Sequence, residues 1–249
     1  MTDPTHRPWL RPELVASWRE IGVVLLVVIA PWLLSSALAA GHGSASHYFE
    51  TFLSDRRLLL NLAAESSILG LLLVYLKWRG WQPPDLRIRP SVGSTAQGIA
   101  LLPLALAVNG LTVFGLLWIF FLNQREYLSF YGYLMAHSPK PSMMHVENLS
   151  WPVLLVSLTV NAFLEEISCT AYLFAQLAAK RGPLFALCLV VPLRMLCHTY
   201  QGVVHMIGVG TLFLIYGLWY WRTRNLWTLI FAHALLDISN VGALKLAAH

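Results

Sequence analysis

Apolar residues form long runs along this chain, and most charged residues lie in the segments between the runs. About 20 consecutive apolar residues cross the hydrocarbon layer of a membrane as a helix, in which every backbone polar group is satisfied internally. Seven such runs lie near residues 20–40, 58–76, 95–122, 151–179, 183–200, 203–221 and 226–246. The pattern predicts an all-α fold, a polytopic bundle of about seven transmembrane helices.

Composition supports a multi-pass integral membrane protein. Hydrophobic residues make up 57% of the 249 positions and charged residues only 12%. A soluble domain carries about 25% charged residues. An ordinary water-soluble domain is therefore excluded, and membrane lipids are the expected surroundings.

Basic residues concentrate in alternate connections between the runs. They are Arg7, Arg11 and Arg19 before the first run, Lys77, Arg79, Arg87 and Arg89 after the second, Lys180 and Arg181 after the fourth, and Arg222 and Arg224 after the sixth. Under the positive-inside rule, this alternation predicts a cytoplasmic N-terminus in the plasma (inner) membrane. The net charge of +5 is thereby explained by topology, and no nucleic-acid partner is expected.

The chain divides into three regions. Residues 1–19 form a cytoplasmic tail, whose apolar spacing predicts an interfacial helix. Residues 20–149 hold the N-terminal transmembrane helices and a polar connection, and residues 150–249 form a helical core that carries the candidate chemistry. The apolar residues of the tail are Trp9, Leu10, Leu14, Val15 and Trp18.

Several polar and ionisable residues interrupt the apolar runs. They are Glu65, Glu165, Glu166, Arg194, His198, His233 and Asp237. Ionisable groups inside a membrane are costly, face the bundle interior and usually mark function. All except Glu65 lie between residues 165 and 237, so we expect the site in the last four helices and give Glu65 low weight.

The first group is Asn161-Ala-Phe-Leu-Glu165-Glu166-Ile-Ser-Cys-Thr170. Adjacent residues on a helix point about 100° apart. We therefore expect one glutamate to face a cavity and the other to pair with a neighbouring helix. The alternative is a purely structural ion pair between two helices.

Two further groups place polar side chains one helical turn apart. Arg194 and His198 share one face, as do His233 and Asp237. An aspartate one turn from a histidine can fix the tautomer of the histidine. The alternatives are an interfacial histidine and a self-satisfied His–Asp pair. By contrast, Gly208-Val-Gly210 lies within a run and indicates helix packing rather than a phosphate loop.

Together the three groups resemble the CPBP family (CAAX proteases and bacteriocin-processing enzymes, also called Abi or type II CAAX prenyl endopeptidase-like proteins). That family shows EExxxR on one helix, FxxxH on the next, and HxxxN or HxxxD on a later one. Glu165-Glu166 match the first motif, His198 the second, and His233 with Asp237 the third. The resemblance covers about residues 150–240 and includes the segments HTYQG and RTRNLWTLIFAHALLD.

Two positions depart from the family motifs. Thr170 stands in place of the arginine of EExxxR, and Arg194 in place of the phenylalanine of FxxxH. An unpaired Glu166 in the membrane would be expensive, and an arginine on the adjacent helix can restore its pair. We therefore predict an ion pair between Glu166 and Arg194.

The resemblance implies an intramembrane endopeptidase that cleaves a membrane-associated or prenylated peptide and needs no cofactor. Glu165 would activate water together with His198, since a buried carboxylate is a stronger base than one in water. His233 would stabilise the oxyanion, and Asp237 would orient His233. The supporting residues would be Glu166, Arg194 and Asn161.

Three alternatives use the same features. Glu165, His198, His233 and Asp237 offer nitrogen and oxygen ligands for zinc, which would make the protein an intramembrane metalloprotease. Thr170 and Arg194 are compatible with a catalytically inactive membrane scaffold or immunity-type binding protein. A proton-coupled transporter would explain buried acids, although not the order of the motifs.

Overall fold

The computed structural model describes residues 8–41, 54–120, 149–201 and 203–247. Within these ranges the regular elements are helical, and no strand occurs. The α-helices are α1 (Trp18–Val24), α2 (Ala30–Gly41), α3 (Asp55–Trp78), α4 (Val92–Phe120), α5 (Trp151–Glu165), α6 (Ala175–Arg181), α7 (Pro183–Leu196), α8 (Val203–Thr223) and α9 (Leu226–Ala247). Residues 121–148, which make up most of the predicted polar connection, lie outside the described residues.

The all-α polytopic bundle is confirmed, and each predicted run overlaps a helix of the described ranges. Five helical stretches in the described ranges are long and apolar enough to cross a membrane. They are Trp18–Leu38, Asp55–Trp78, Val92–Leu116, Trp151–Arg181 and Leu226–Ala243. Five spans in the described ranges are fewer than the seven predicted, and α7 is an apolar helix of only 14 residues.

The stretch Trp151–Arg181 runs through the middle of the bundle. In the most apolar part of this stretch, 56% is buried inside the protein. The corresponding buried shares are 11% for α3 and 17% for α4. The apolar outer faces of α3 and α4 therefore suit contact with lipid. Polar groups on the central stretch are correspondingly kept away from lipid.

The central stretch changes its helical form where the two glutamates meet. It is α-helical through Glu165, becomes a π-helix over Glu166–Phe174, and continues as α6. All nine residues of the π segment are buried. A π-helix bonds i to i+5, and such segments are frequent at functional sites.

The predicted interfacial helix of the N-terminal tail is not formed over residues 8–17. Residues 8–17 contain one regular element, the 3₁₀ turn Pro12–Leu14, because proline removes a backbone donor and disfavours helix in the residue before it. The side-chain amide of Gln176 forms two hydrogen bonds with the tail. Its oxygen accepts from the Ala16 amide and its nitrogen donates to the Leu14 carbonyl, each at 2.8 Å. Trp9, Leu10 and Leu14 pack into the protein core and so cover the bundle, whereas Trp18 is exposed.

The interpretation of Gly208 and Gly210 as packing positions is confirmed. A Cβ on Gly208 would collide with Asn109 on α4, and one on Gly210 would collide with Met195 on α7. The two glycines thus allow α8 to approach both neighbours closely.

Candidate active site

The polar groups predicted from the sequence meet inside the bundle. Glu165 is the last residue of α5, Glu166 the first of the π segment, and Arg194 lies in the last turn of α7. His233 and Asp237 lie one turn apart on α9. Three helical stretches separated along the sequence therefore contribute to one cluster.

Glu166 is fully buried and has partners on both carboxylate oxygens. Its Oε1 accepts from Arg194 Nη2 at 2.7 Å and lies 3.0 Å from His233 Nδ1. Its Oε2 accepts from the Thr170 hydroxyl at 2.7 Å. The predicted pair with Arg194 is thus present, and Thr170 binds the same carboxylate from one turn further along the chain.

Arg194 is the cation of the cluster and is 4% exposed. Its Nη2 contacts Glu166 and also lies 3.1 Å from Glu165 Oε2. Its guanidinium lies over the ring of Phe213 on α8, 3.6 Å from the centroid. Nothing in the apolar sequence of α8 indicated this aromatic contact.

Glu165 is held but remains partly accessible, with 16% of its side chain exposed. The Asn161 amide donates to its Oε1 at 3.3 Å, and Arg194 donates to its Oε2. The sequence predicted that one glutamate faces a cavity and that the other pairs with a neighbouring helix; here both contact Arg194. They do differ in access, since the side chain of Glu166 is 0% exposed.

His233 lies between three carboxylates. Its Nδ1 faces Glu166, and its Nε2 is 3.5 Å from Asp237 Oδ2 and 3.9 Å from Glu165 Oε2. An ionised carboxylate only accepts, so Nδ1 carries the hydrogen of the Glu166 contact. Asn161 also donates to Asp237, at 3.4 Å, and so links the two partly exposed acids.

His198 lies at the edge of the cluster. It follows α7, which has only 14 residues and ends at Leu196, and it precedes the 3₁₀ turn Thr199–Gln201. The imidazole is half-buried, 5.5 Å from the Phe213 ring by centroids, and it interacts electrostatically with Glu165 and Arg194. Because α7 stops early, His198 reaches the cluster from beyond the helix end.

Glu65 adds a fourth helix to the acidic group. It is half-buried on α3 and interacts electrostatically with Glu165 and Asp237. The position of Glu65 inside an apolar run was the sequence signal for a functional residue. Glu65 was given low weight because it lies far along the sequence from the motifs.

The described residues fit a metal ion poorly. Across these ranges, no three His, Cys, Asp or Glu side chains are grouped as metal ligands. In addition, the guanidinium of Arg194 occupies oxygens of both glutamates, and its charge opposes a second cation beside them.

Comparison with known proteins supports the resemblance. Residues 147–239 match the family model described as type II CAAX prenyl endopeptidase Rce1-like. This part of the chain is similar to the type II CAAX prenyl endopeptidases. The resemblance to the CPBP family is thereby confirmed, and the matched region includes Glu165, Glu166, His198, His233 and Asp237.

The match to the prenyl endopeptidase model begins after α4 and so leaves the N-terminal helices unmatched. No curated protein and no solved structure matches the chain significantly. The match to this family supports an intramembrane protease of the CAAX type, which acts on peptide substrates. The apolar helices support an integral membrane protein in a lipid environment.

Proposed function

We propose that this protein is an intramembrane endopeptidase that hydrolyses a membrane-associated or prenylated peptide with water activated by Glu165 and His198. The observation that carries the proposal is the difference between the adjacent glutamates. Glu166 is closed off by Arg194, Thr170 and His233, whereas Glu165 keeps an exposed fraction of 16%. One carboxylate serves the structure, and the other is available to a reactant.

The proposed reaction needs only a base, a donor and a water molecule. Glu165 accepts a proton from water as the water oxygen bonds to the carbonyl carbon of the scissile peptide. The proton then passes to the amide nitrogen, and the carbon–nitrogen bond breaks to release a carboxylate and an amine. His198, whose half-buried imidazole interacts electrostatically with Glu165, is assigned to assist these transfers.

His233 is the proposed donor to the oxyanion. Because its Nδ1 hydrogen is used by Glu166, a donor at Nε2 requires the doubly protonated ring. Asp237 and Glu165 lie near Nε2 and favour a hydrogen there. Asp237 therefore orients His233, and the carboxylates around the ring stabilise its positive charge.

The proposed orientation places the N-terminus in the cytoplasm. Arg79 pairs with Glu20 at 2.9 Å, and the Lys180 ammonium lies over the ring of Trp18. These contacts bring the tail, the end of α3 and the end of α6 to the same end of the bundle. Their shared basic character supports a cytoplasmic location for this end.

Cleavage by the purified protein tests the proposal. The substrate panel pairs each membrane peptide with its prenylated form, and mass spectrometry locates the cleaved bond. Glu165→Gln and His198→Ala should abolish cleavage, while Glu13→Gln, the same change at an exposed residue of the tail, should retain it. Cleavage that persists in Glu165→Gln would contradict the assigned base.

Two further arms separate the alternatives. Loss of cleavage with a chelator and its return with zinc would favour the metalloprotease. A folded wild-type protein that cleaves no peptide of the panel, while binding one of them, would favour the non-catalytic scaffold.

A further inference from the structure

A cavity of about 190 Å³ opens between the N-terminal tail and the segment that follows α3. Its lining includes Trp9, Arg11, Asp85, Arg87 and Arg89. A water molecule occupies about 30 Å³ in the liquid. The cavity therefore has room for a small polar group, and its charged lining indicates the kind of group it would accept.

The acidic charge beside this cavity is already matched. Asp85 Oδ2 accepts from Arg11 Nη2 at 2.9 Å, and the other terminal nitrogen of Arg11 binds Glu13 at 3.1 Å. By contrast, Arg87 donates to the carbonyl oxygen of Trp9, and neither Arg87 nor Arg89 forms an ion pair with a carboxylate of the described ranges. Among the described residues, no carboxylate therefore compensates these two cations at the cavity.

Arg224 adds a third cation next to the same cavity. Its guanidinium lies over the Trp9 ring, and its Nη1 is buried without a hydrogen-bond partner in the described part of the chain. Burial and the nearby charge of Arg87 lower the pKa of Arg224 to about 10. A buried guanidinium nitrogen without an acceptor is costly unless an anion binds close by.

The backbone is also unusual at this place. Arg87 and Arg224 have φ angles of 56° and 52°, and no other non-glycine residue of the described ranges has a positive φ. The left-handed conformation is unfavourable for a residue with a side chain and is easier for glycine. The Leu226 amide donates to the Arg87 carbonyl at 3.0 Å, so the two strained turns are joined. Strain of this kind tends to be kept at functional sites.

We propose that this basic cavity binds a phosphate group, of the kind carried by an anionic phospholipid headgroup. Arginine forms paired hydrogen bonds to phosphate oxygens, and three arginines surround this place. The cavity lies where the chain passes between α3 and α4 and between α8 and α9, at the ends of membrane helices. Basic pockets between membrane helices are suited to anionic headgroups.

Lipid binding by the full chain tests the assignment. Wild type, Arg89→Gln, Arg224→Gln and the control Arg181→Gln are placed in phosphatidylcholine nanodiscs with and without phosphatidylglycerol. Arg181 is an exposed arginine that does not line the cavity. Thermal unfolding reports stabilisation, and native mass spectrometry reports retained lipid.

Phosphatidylglycerol should stabilise wild type and Arg181→Gln, and each cavity variant should bind it at least about tenfold more weakly, because each loses a charged hydrogen bond. Arg224→Gln changes a strained turn, and this variant could fail to fold. Arg89 is exposed and has no positive φ, so Arg89→Gln keeps the test decisive in that case. A further arm adds inorganic phosphate to the protein in phosphatidylcholine alone. If phosphate stabilises wild type but not Arg89→Gln, the site binds free phosphate instead of a headgroup. Equal stabilisation of all variants, or none of wild type, would overturn the proposal.

Discussion

Replacing Arg194 with methionine should strongly destabilise the protein. The change removes the donor that lies 2.7 Å from Glu166 and 3.1 Å from Glu165, and it leaves an unbranched apolar side chain in place of the arginine. Removing one partner of a buried ion pair costs about 3–5 kcal/mol, because the other charge stays buried without compensation. We expect the lower end, about 3 kcal/mol, since the hydroxyl of Thr170 still donates to Glu166.

A second variant isolates the ion pair from the loss of packing. Glu166→Gln removes the buried negative charge, and its amide can still accept from His233 and donate to the Thr170 hydroxyl. Arg194→Met combined with Glu166→Gln should therefore be less destabilised than the sum of the single changes, by at least about 1 kcal/mol. The control is Arg222→Met at an exposed position near the end of α8, which should stay within about 0.5 kcal/mol of wild type.

Reversible unfolding in mixed micelles measures these differences, with the fluorescence of the ten tryptophans as the signal. Free energies of wild type, the two single variants and the double variant complete the double-mutant cycle, and Arg222→Met is measured beside them as the control. A cost below about 1 kcal/mol for Arg194→Met, or a double variant equal to the sum of the singles, would contradict an uncompensated buried charge at Glu166.

Three other changes test separate contacts. Thr170→Val should cost about 1–3 kcal/mol by unfolding, because it removes the hydroxyl that binds Glu166, whereas Thr170→Ser should stay near wild type. Gly98→Ala should destabilise by about 1–3 kcal/mol, since its Cβ would lie 2.9 Å from a carbonyl oxygen of α9, while Gly110→Ala meets nothing within 4 Å and should be neutral or stabilising. Gln176→Leu should release the tail, and limited proteolysis would show faster cleavage there; unchanged protection would contradict the role of its two hydrogen bonds.

The helices and the composition of the cluster could be predicted because they depend on local rules. Long apolar runs require helix in a membrane, and a buried charge requires a partner. The second rule predicted the Glu166–Arg194 contact from the two motif departures alone. Catalytic roles for Glu165, His198, His233 and Asp237 stay predictions.

The remaining features depend on contacts that the sequence pattern does not reveal. The π segment has no local signal of its own; it starts at Glu166, and the glutamates on either side of its start both contact Arg194. Docking of the tail depends on Gln176, which is distant along the chain. Whether Glu65 lies near the acidic cluster depends on how α3 packs against α5. The position of Glu65 in the sequence does not reveal this packing.

The two departures from the family motifs are one change in electrostatic terms. The family pattern has an arginine one turn after the second glutamate, and here Thr170 occupies that place and still donates to Glu166. The positive charge comes instead from Arg194 on α7, at the place of the phenylalanine of FxxxH, and Phe213 on α8 supplies an aromatic ring against it. The buried charge is thus balanced from a different helix, and Glu165 stays partly exposed. For this reason the departures are weak evidence for a lost activity, and the accessible Glu165 is the residue on which the assignment depends.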